Sequence, residues 1–90
     1  MSVKVRISAS FGATTKGVTM TEVNGNTVGE CLKQLVKRFQ PLEKMLLDEN
    51  DKLARHVVIF VNRESAQTEG LAKPVKDGDE IDLMKMVGGG

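Results

Sequence analysis

Hydrophobic and polar positions alternate strictly over residues 3–9, with Val3, Val5, Ile7 and Ala9 on one side and Lys4, Arg6 and Ser8 on the other. A period of two with β-branched residues predicts a half-buried strand. Residues 11–17 hold two glycines and two threonines, which predicts a turn. Residues 18–23 follow as a second strand with Val18 and Met20 on one face, and a hairpin is the simplest connection. After the turn signal Asn24-Gly25-Asn26 the period changes. Val28, Cys31, Leu32, Leu35, Val36 and Phe39 recur at spacings of three and four, one apolar stripe of an amphipathic helix. Thr27-Val28-Gly29-Glu30 has capping-box form: the Thr27 hydroxyl can accept from the Glu30 N–H, and the Glu30 carboxylate can reach back to Thr27. Lys37 and Arg38 lie where the helix dipole favours cations. Pro41 either ends this helix or opens a short second one through Leu42, Met45 and Leu46.

Residues 48–52 read as a polar loop. Within residues 55–62, Val57-Val58-Ile59-Phe60-Val61 is apolar on both faces, which predicts a strand inside the sheet. Asn62-Arg63 begins a polar turn region that runs to Gly70. Residues 71–75 suggest a short edge segment in which Pro74 limits pairing. In Lys76-Asp77-Gly78-Asp79 a tight turn is expected, with Gly78 supplying a positive φ. Residues 80–87 form the last strand. If Ile81 and Leu83 face the helix, Met84 and Met86 face the other side, where Phe60 joins them from the neighbouring strand. The order strand, strand, helix, strand, edge strand, strand predicts an α+β domain, one main helix across a mixed sheet of four to five strands. The domain is placed at residues 1–87 and a flexible glycine tail at 88–90, since glycines there neither pack nor propagate structure.

Composition narrows the function classes. Ninety residues fit one domain, and a net charge of +1 gives no strong field for nucleic acid or anionic lipid. Trp and Tyr are absent and Phe occurs three times, which removes the stacking platform that single-stranded nucleic acid needs. A single cysteine excludes an internal disulfide, and with one histidine it makes no metal framework. Cys31 falls on the apolar helix stripe, so a buried core thiol is expected, and His56 has no evident catalytic companion and is expected at the surface. Asp77, Asp79, Glu80 and Asp82 read chiefly as turn chemistry and a solvated face, the alternative being a contact with a basic rim on a partner. No apolar run approaches membrane-helix length, and a cytoplasmic setting is expected.

Three segments carry a resemblance to a known family: Phe60-Val61-Asn62 closing the third strand, the Asp77-Gly78-Asp79-Glu80 turn, and the final strand running into Gly89-Gly90. Together with the element order they resemble the ubiquitin-like sulfur carriers, which include the small subunit of molybdopterin synthase and the thiamine-pathway carrier. The resemblance implies a β-grasp fold and a cycle at the C-terminus. An ATP-dependent adenylating enzyme of the ubiquitin-activating type would activate the Gly90 carboxylate. A sulfur donor would convert it to a thiocarboxylate, and an acceptor enzyme such as the large subunit of molybdopterin synthase would receive the sulfur. On this reading the chain holds no cofactor or metal, ATP belongs to the partner, and Gly89 gives clearance in the partner's cleft because it lacks a Cβ. Phe60, Met84, Met86, Val87 and Gly88 form the expected partner-binding surface. Two alternatives are a modifier conjugated through Gly90 to lysines and a non-catalytic β-grasp binding module. The stretch from Leu83 to Gly88 has no proline, whereas many carriers of the molybdopterin-synthase type have prolines there.

Overall fold

The computed structural model describes residues 2–8, 11, 17–47, 52–54, 56–66 and 68–85. In chain order they form β1 (Val3–Ile7), β2 (Met20–Val23), α1 (Val28–Arg38), α2 (Leu42–Leu46), β3 (Val57–Val61), β4 (Glu64–Ser65), a 3-10 turn (Gly70–Ala72) and β5 (Glu80–Lys85). The five strands make one sheet in the order β2-β1-β5-β3-β4. The first and last strands, β1 and β5, lie side by side and parallel, with Val5 opposite Ile81 and Ile7 opposite Leu83. Antiparallel neighbours flank them: β2 beside β1 and β3 beside β5. This is the expected β-grasp arrangement.

Alternation decides which face is sealed. Val3, Val5, Ile7, Val57, Ile59, Val61, Ile81 and Leu83 all point to one side and are at most 5% exposed. Val28, Cys31, Leu32 and Leu35 of α1 and Leu42 and Leu46 of α2 cover them. Pro41 therefore opens a second helix rather than only closing the first; Leu42 N–H donates to the Phe39 carbonyl across the junction.

The α1 cap forms with a shift. Thr27 Oγ1 accepts from the Glu30 N–H at 3.2 Å, but Glu30 Oε1 accepts from the Asn26 N–H at 2.9 Å, one residue earlier than a capping box places it. Cys31 is buried beneath this turn. A Cβ on Gly25 would stand 2.9 Å from both the Cys31 nitrogen and its Sγ, so only glycine lets the turn close over the thiol. Burial, helped by the charge of Glu30, pushes the thiol above its ordinary pKa.

Two elements differ from expectation. The edge strand is Glu64–Ser65, inside the region read as a polar turn. It pairs with β3 through a tight turn in which Asn62 (φ 51°) and Arg63 (φ 69°) are both left-handed, the signature of a two-residue hairpin. Residues 71–75 pack instead on the start of α1. Val28 N–H donates to the Lys73 carbonyl at 2.9 Å, Val75 N–H donates to the Asn26 carbonyl at 2.9 Å, and Pro74 bridges Thr27. The unsatisfied groups at a helix N-terminus thus take the partners that a sheet edge would have taken.

Candidate functional site: the central strand and the open face of the sheet

The strand that leads to the C-terminus is pinned where it begins. Ser2 N–H donates to Asp77 Oδ1 at 2.6 Å, and Gly78 N–H donates to the Ser2 carbonyl at 2.9 Å. Gly78 takes φ 89°, the left-handed geometry the sequence demanded. Asp79 then turns inward and is 8% exposed. Its Oδ1 accepts from Asn62 Nδ2 at 3.0 Å and its Oδ2 from the Lys76 N–H at 2.9 Å. Asn62 Oδ1 accepts from the Glu80 N–H at 3.0 Å, and the Asn62 N–H donates to the Glu80 carbonyl at 2.8 Å. The Asn62 amide and then the Lys76 N–H hold the Asp79 carboxyl below its ordinary pKa, against the opposing effect of burial. The two internal segments that carried the family resemblance therefore meet in one clasp. Sequence reasoning placed Asp79 on a solvated turn; the Asn62 partnership buries it.

The other end of β5 is Lys85, and Met86, Val87, Gly88, Gly89 and Gly90 lie outside the described residues. Of the expected partner-binding residues, Phe60 and Met84 are described, and both lie on the face of the sheet away from α1. Phe60 stands opposite Asp82, and Met84 stands opposite Val58. Phe60 and Met84 are thus diagonal neighbours, about 7–8 Å apart by sheet geometry. Met84 is 45% exposed, while Phe60 and Val58 are half-buried. Val58 was missed as a candidate, although the two-sided apolar character of its strand contained the signal. Met20 on β2 adds a second exposed methionine to this face, beside Arg6.

Charge is laid beside the apolar residues. Arg6 Nη2 lies 3.3 Å from Glu80 Oε1, and Arg6 Nε lies 3.8 Å from Asp82 Oδ1. A small notch of about 200 Å³ opens among Arg6, Ser8, Asp82, Leu83 and Met84. A larger groove of about 430 Å³ lies on the helix layer, bordered by Thr27, Gly29, Lys33, Val36, Leu47 and Leu71. Cys31 and His56 join neither: the thiol is buried and His56 is exposed at the turn before β3. Among the described residues no group of three or more His, Cys, Asp or Glu is gathered as a metal site would need. No helix among them is long and apolar enough to cross a membrane.

Comparison with known proteins agrees with this architecture. The family model described as "ThiS family" matches residues 5–90. The chain is 31% identical over 93 residues to the sulfur carrier protein CysO of Mycobacterium tuberculosis (strain H37Rv), covering 100% of both chains. Among solved structures it is similar to the Amycolatopsis orientalis BexX/CysO complex, with 32% identity, a TM-score of 0.88, and coverage of 98% of this chain and 99% of that one. It is also similar to SAMP1 from Haloferax volcanii, with 27% identity, a TM-score of 0.87 and full coverage of both chains.

Proposed function

The chain belongs to the ThiS family of ubiquitin-like sulfur carriers, and from that premise we propose that it carries sulfur as a thiocarboxylate on Gly90. A carboxylate is a poor electrophile. In the proposed cycle the Gly90 carboxylate oxygen attacks the α-phosphorus of ATP in a partner enzyme, and pyrophosphate leaves. A persulfide donor then attacks the acyl carbon and AMP leaves with the oxygen. A second thiol attacks the donor sulfur of the resulting acyl disulfide, leaving the thiocarboxylate and a disulfide on the donor side, whereas free sulfide gives the thiocarboxylate directly. The thiocarboxylate sulfur then bonds to the acceptor's substrate, and water hydrolyses the acyl–sulfur bond, which leaves the sulfur on the product and regenerates the carboxylate. ATP is a substrate of the partner, and the catalytic groups are the partner's.

One observation carries this reading. The strand that leads to Gly90 is the central strand of the sheet, hydrogen-bonded on both flanks and clasped at its start by Asn62 and Asp79. A rigid lead strand fixes the direction in which a reactive terminus is presented, and pre-organisation of that kind reduces the entropy lost on entering a cleft. Met84 and Phe60 form the docking patch beside it, with Met86, Val87 and Gly88 continuing toward the cleft and Gly89 giving backbone clearance. Adaptable methionine and aromatic surface suits a carrier that meets an activating enzyme and an acceptor in turn. The solved complex of a carrier relative with BexX supports docking to a protein partner. The acceptor in this proposal is the molybdopterin precursor, reached through the large subunit of its synthase.

The test is the mass of the C-terminus after incubation with the adenylating enzyme, ATP and a sulfur source. Replacement of one oxygen by sulfur at Gly90 is expected; an unchanged terminus in a mixture that consumes ATP contradicts the proposal. Adding the synthase large subunit and the precursor then tests the acceptor, and sulfur retained on Gly90 removes that part alone. The likeness to SAMP1, the small archaeal modifier protein 1 of Haloferax volcanii, favours a second reading: conjugation through Gly90 to lysines. A Gly-Gly remnant on lysines of other proteins in a tryptic digest is its signature.

A further inference from the structure

Asp82 is the anomaly of the open face. It projects from the middle of β5 with Arg6 opposite on one flank and Phe60 on the other. Its Oδ1 is buried and accepts no hydrogen bond. The nearest cation, Arg6, is committed elsewhere: its Nη2 sits 3.3 Å from Glu80, whereas its Nε stands 3.8 Å from Asp82 Oδ1, outside hydrogen-bonding range. A buried carboxylate oxygen with no donor is a rare and unfavourable arrangement, and one that a second molecule can relieve. The means of access is adjacent. The notch of about 200 Å³ beside Asp82 is walled by Arg6 and Met84, both flexible side chains and both about half exposed (52% and 45%). Either can swing aside.

We propose that Asp82 is a specificity determinant of the docking face, accepting a guanidinium that the adenylating enzyme inserts into the notch between Arg6 and Met84. The inference rests on the carrier reading and deepens it. The charges argue for a cation. Lys4 and Arg6 face Glu22, Glu80 and Asp82 across this side of the sheet, so carboxylates outnumber their internal partners by one. Arginine suits the site better than lysine. Its planar fork satisfies two acceptor positions at once, and it tolerates the apolar wall supplied by the Met84 thioether. The apolar patch alone would accept many surfaces, whereas an orphaned carboxylate within it penalises any partner that covers Asp82 without offering a donor. The notch also lies on β5 itself, the strand that leads to Gly90, so engagement there sets the register of the tail in the partner's cleft.

The experiment compares the full chain with Asp82→Asn as substrates of the organism's adenylating enzyme, using ATP–pyrophosphate exchange at low and high salt, with thermal melting of each carrier as the control. Asp82→Asn is expected to raise the KM for the carrier by about thirtyfold, to flatten its salt dependence, and to leave the melting temperature unchanged or higher. An unchanged KM overturns the inference. So does a raised KM accompanied by a lowered melting temperature, because Asp82 would then act only within the fold. Arg6→Gln separates the remaining case. It removes the internal competitor and is expected to keep or lower the KM; a rise matching that of Asp82→Asn shows that the Arg6–Asp82 pair is the recognised unit and contradicts an inserted guanidinium. If the wild-type chain supports no exchange at all, the carrier reading itself falls; exchange that is indifferent to Asp82 removes only the notch.

Discussion

At its start, β5 is held by Ser2, Asn62, Lys76, Asp77 and Asp79 through side-chain and backbone hydrogen bonds, and the buried carboxylate among them, Asp79, has a donor on each oxygen. Toward its far end the same strand shows Met84 half exposed and a carboxylate, Asp82, whose buried oxygen has no donor. Asp79 is satisfied within the fold, whereas Asp82 keeps an oxygen that is not. Under the proposed function, the difference separates residues that build the carrier from residues proposed to meet a partner. It also shows that the Asp-Gly-Asp-Glu turn, the internal segment most suggestive of function, serves the fold by positioning the strand.

Substitutions at the two ends should therefore fall into different classes. The largest stability effect on β5 is expected at Ile81, which is 0% exposed between strand and helix. Ile81→Ala should lower unfolding free energy by about 2–5 kcal/mol, read from urea midpoints. Next comes the clasp. Asp79→Ala strands the Asn62 amide and the Lys76 N–H, and a loss of roughly 1–3 kcal/mol is expected. Gly78→Ala meets no steric neighbour but must hold φ 89°, so the backbone alone should account for about 1–2 kcal/mol. The clasp also predicts a pH dependence. The Asp79 carboxyl titrates lower when folded than when unfolded, so its contribution is complete above the unfolded carboxylate pKa and is lost as pH falls through the lower, folded value. Asp79→Asn should flatten the acid limb of stability against pH; an unaltered limb would place that dependence elsewhere. The smallest effect belongs to the other end. Met84→Ala should change stability by no more than about 0.5 kcal/mol while weakening capture by the adenylating enzyme, and a stability loss like that of Ile81→Ala would erase the contrast.

The elements with a strong period were legible in the sequence. Alternation over β1 and the three-four spacing of α1 each left one arrangement that buries the apolar side, the two-sided apolar run of β3 placed that strand inside the sheet, and the structure has all three. The hairpin from β3 to β4 was not legible because its turn uses Asn62 and Arg63 at positive φ without a glycine, and its edge strand is only Glu64–Ser65. The docking of the segment after the 3-10 turn escaped for a related reason: Lys73 and Val75 pair with the open N–H and carbonyl groups at the start of α1, a tertiary choice that local pattern does not encode. For the site, the facing of Phe60 and Met84 followed from strand parity alone. The clasp did not, since Asn62 and Asp79 are seventeen residues apart and only the sheet register joins them. Asp82 read as a solvated residue because its position on the strand is polar in pattern; the structure shows the orphaned oxygen.

The most direct test of the account removes Gly90. The shortened chain and the intact chain are compared in ATP–pyrophosphate exchange with the adenylating enzyme, and both are melted. The account predicts that exchange is abolished while the melting temperature is unchanged, because the clasped strand folds without the terminal residue. Exchange at the intact chain's rate would contradict it.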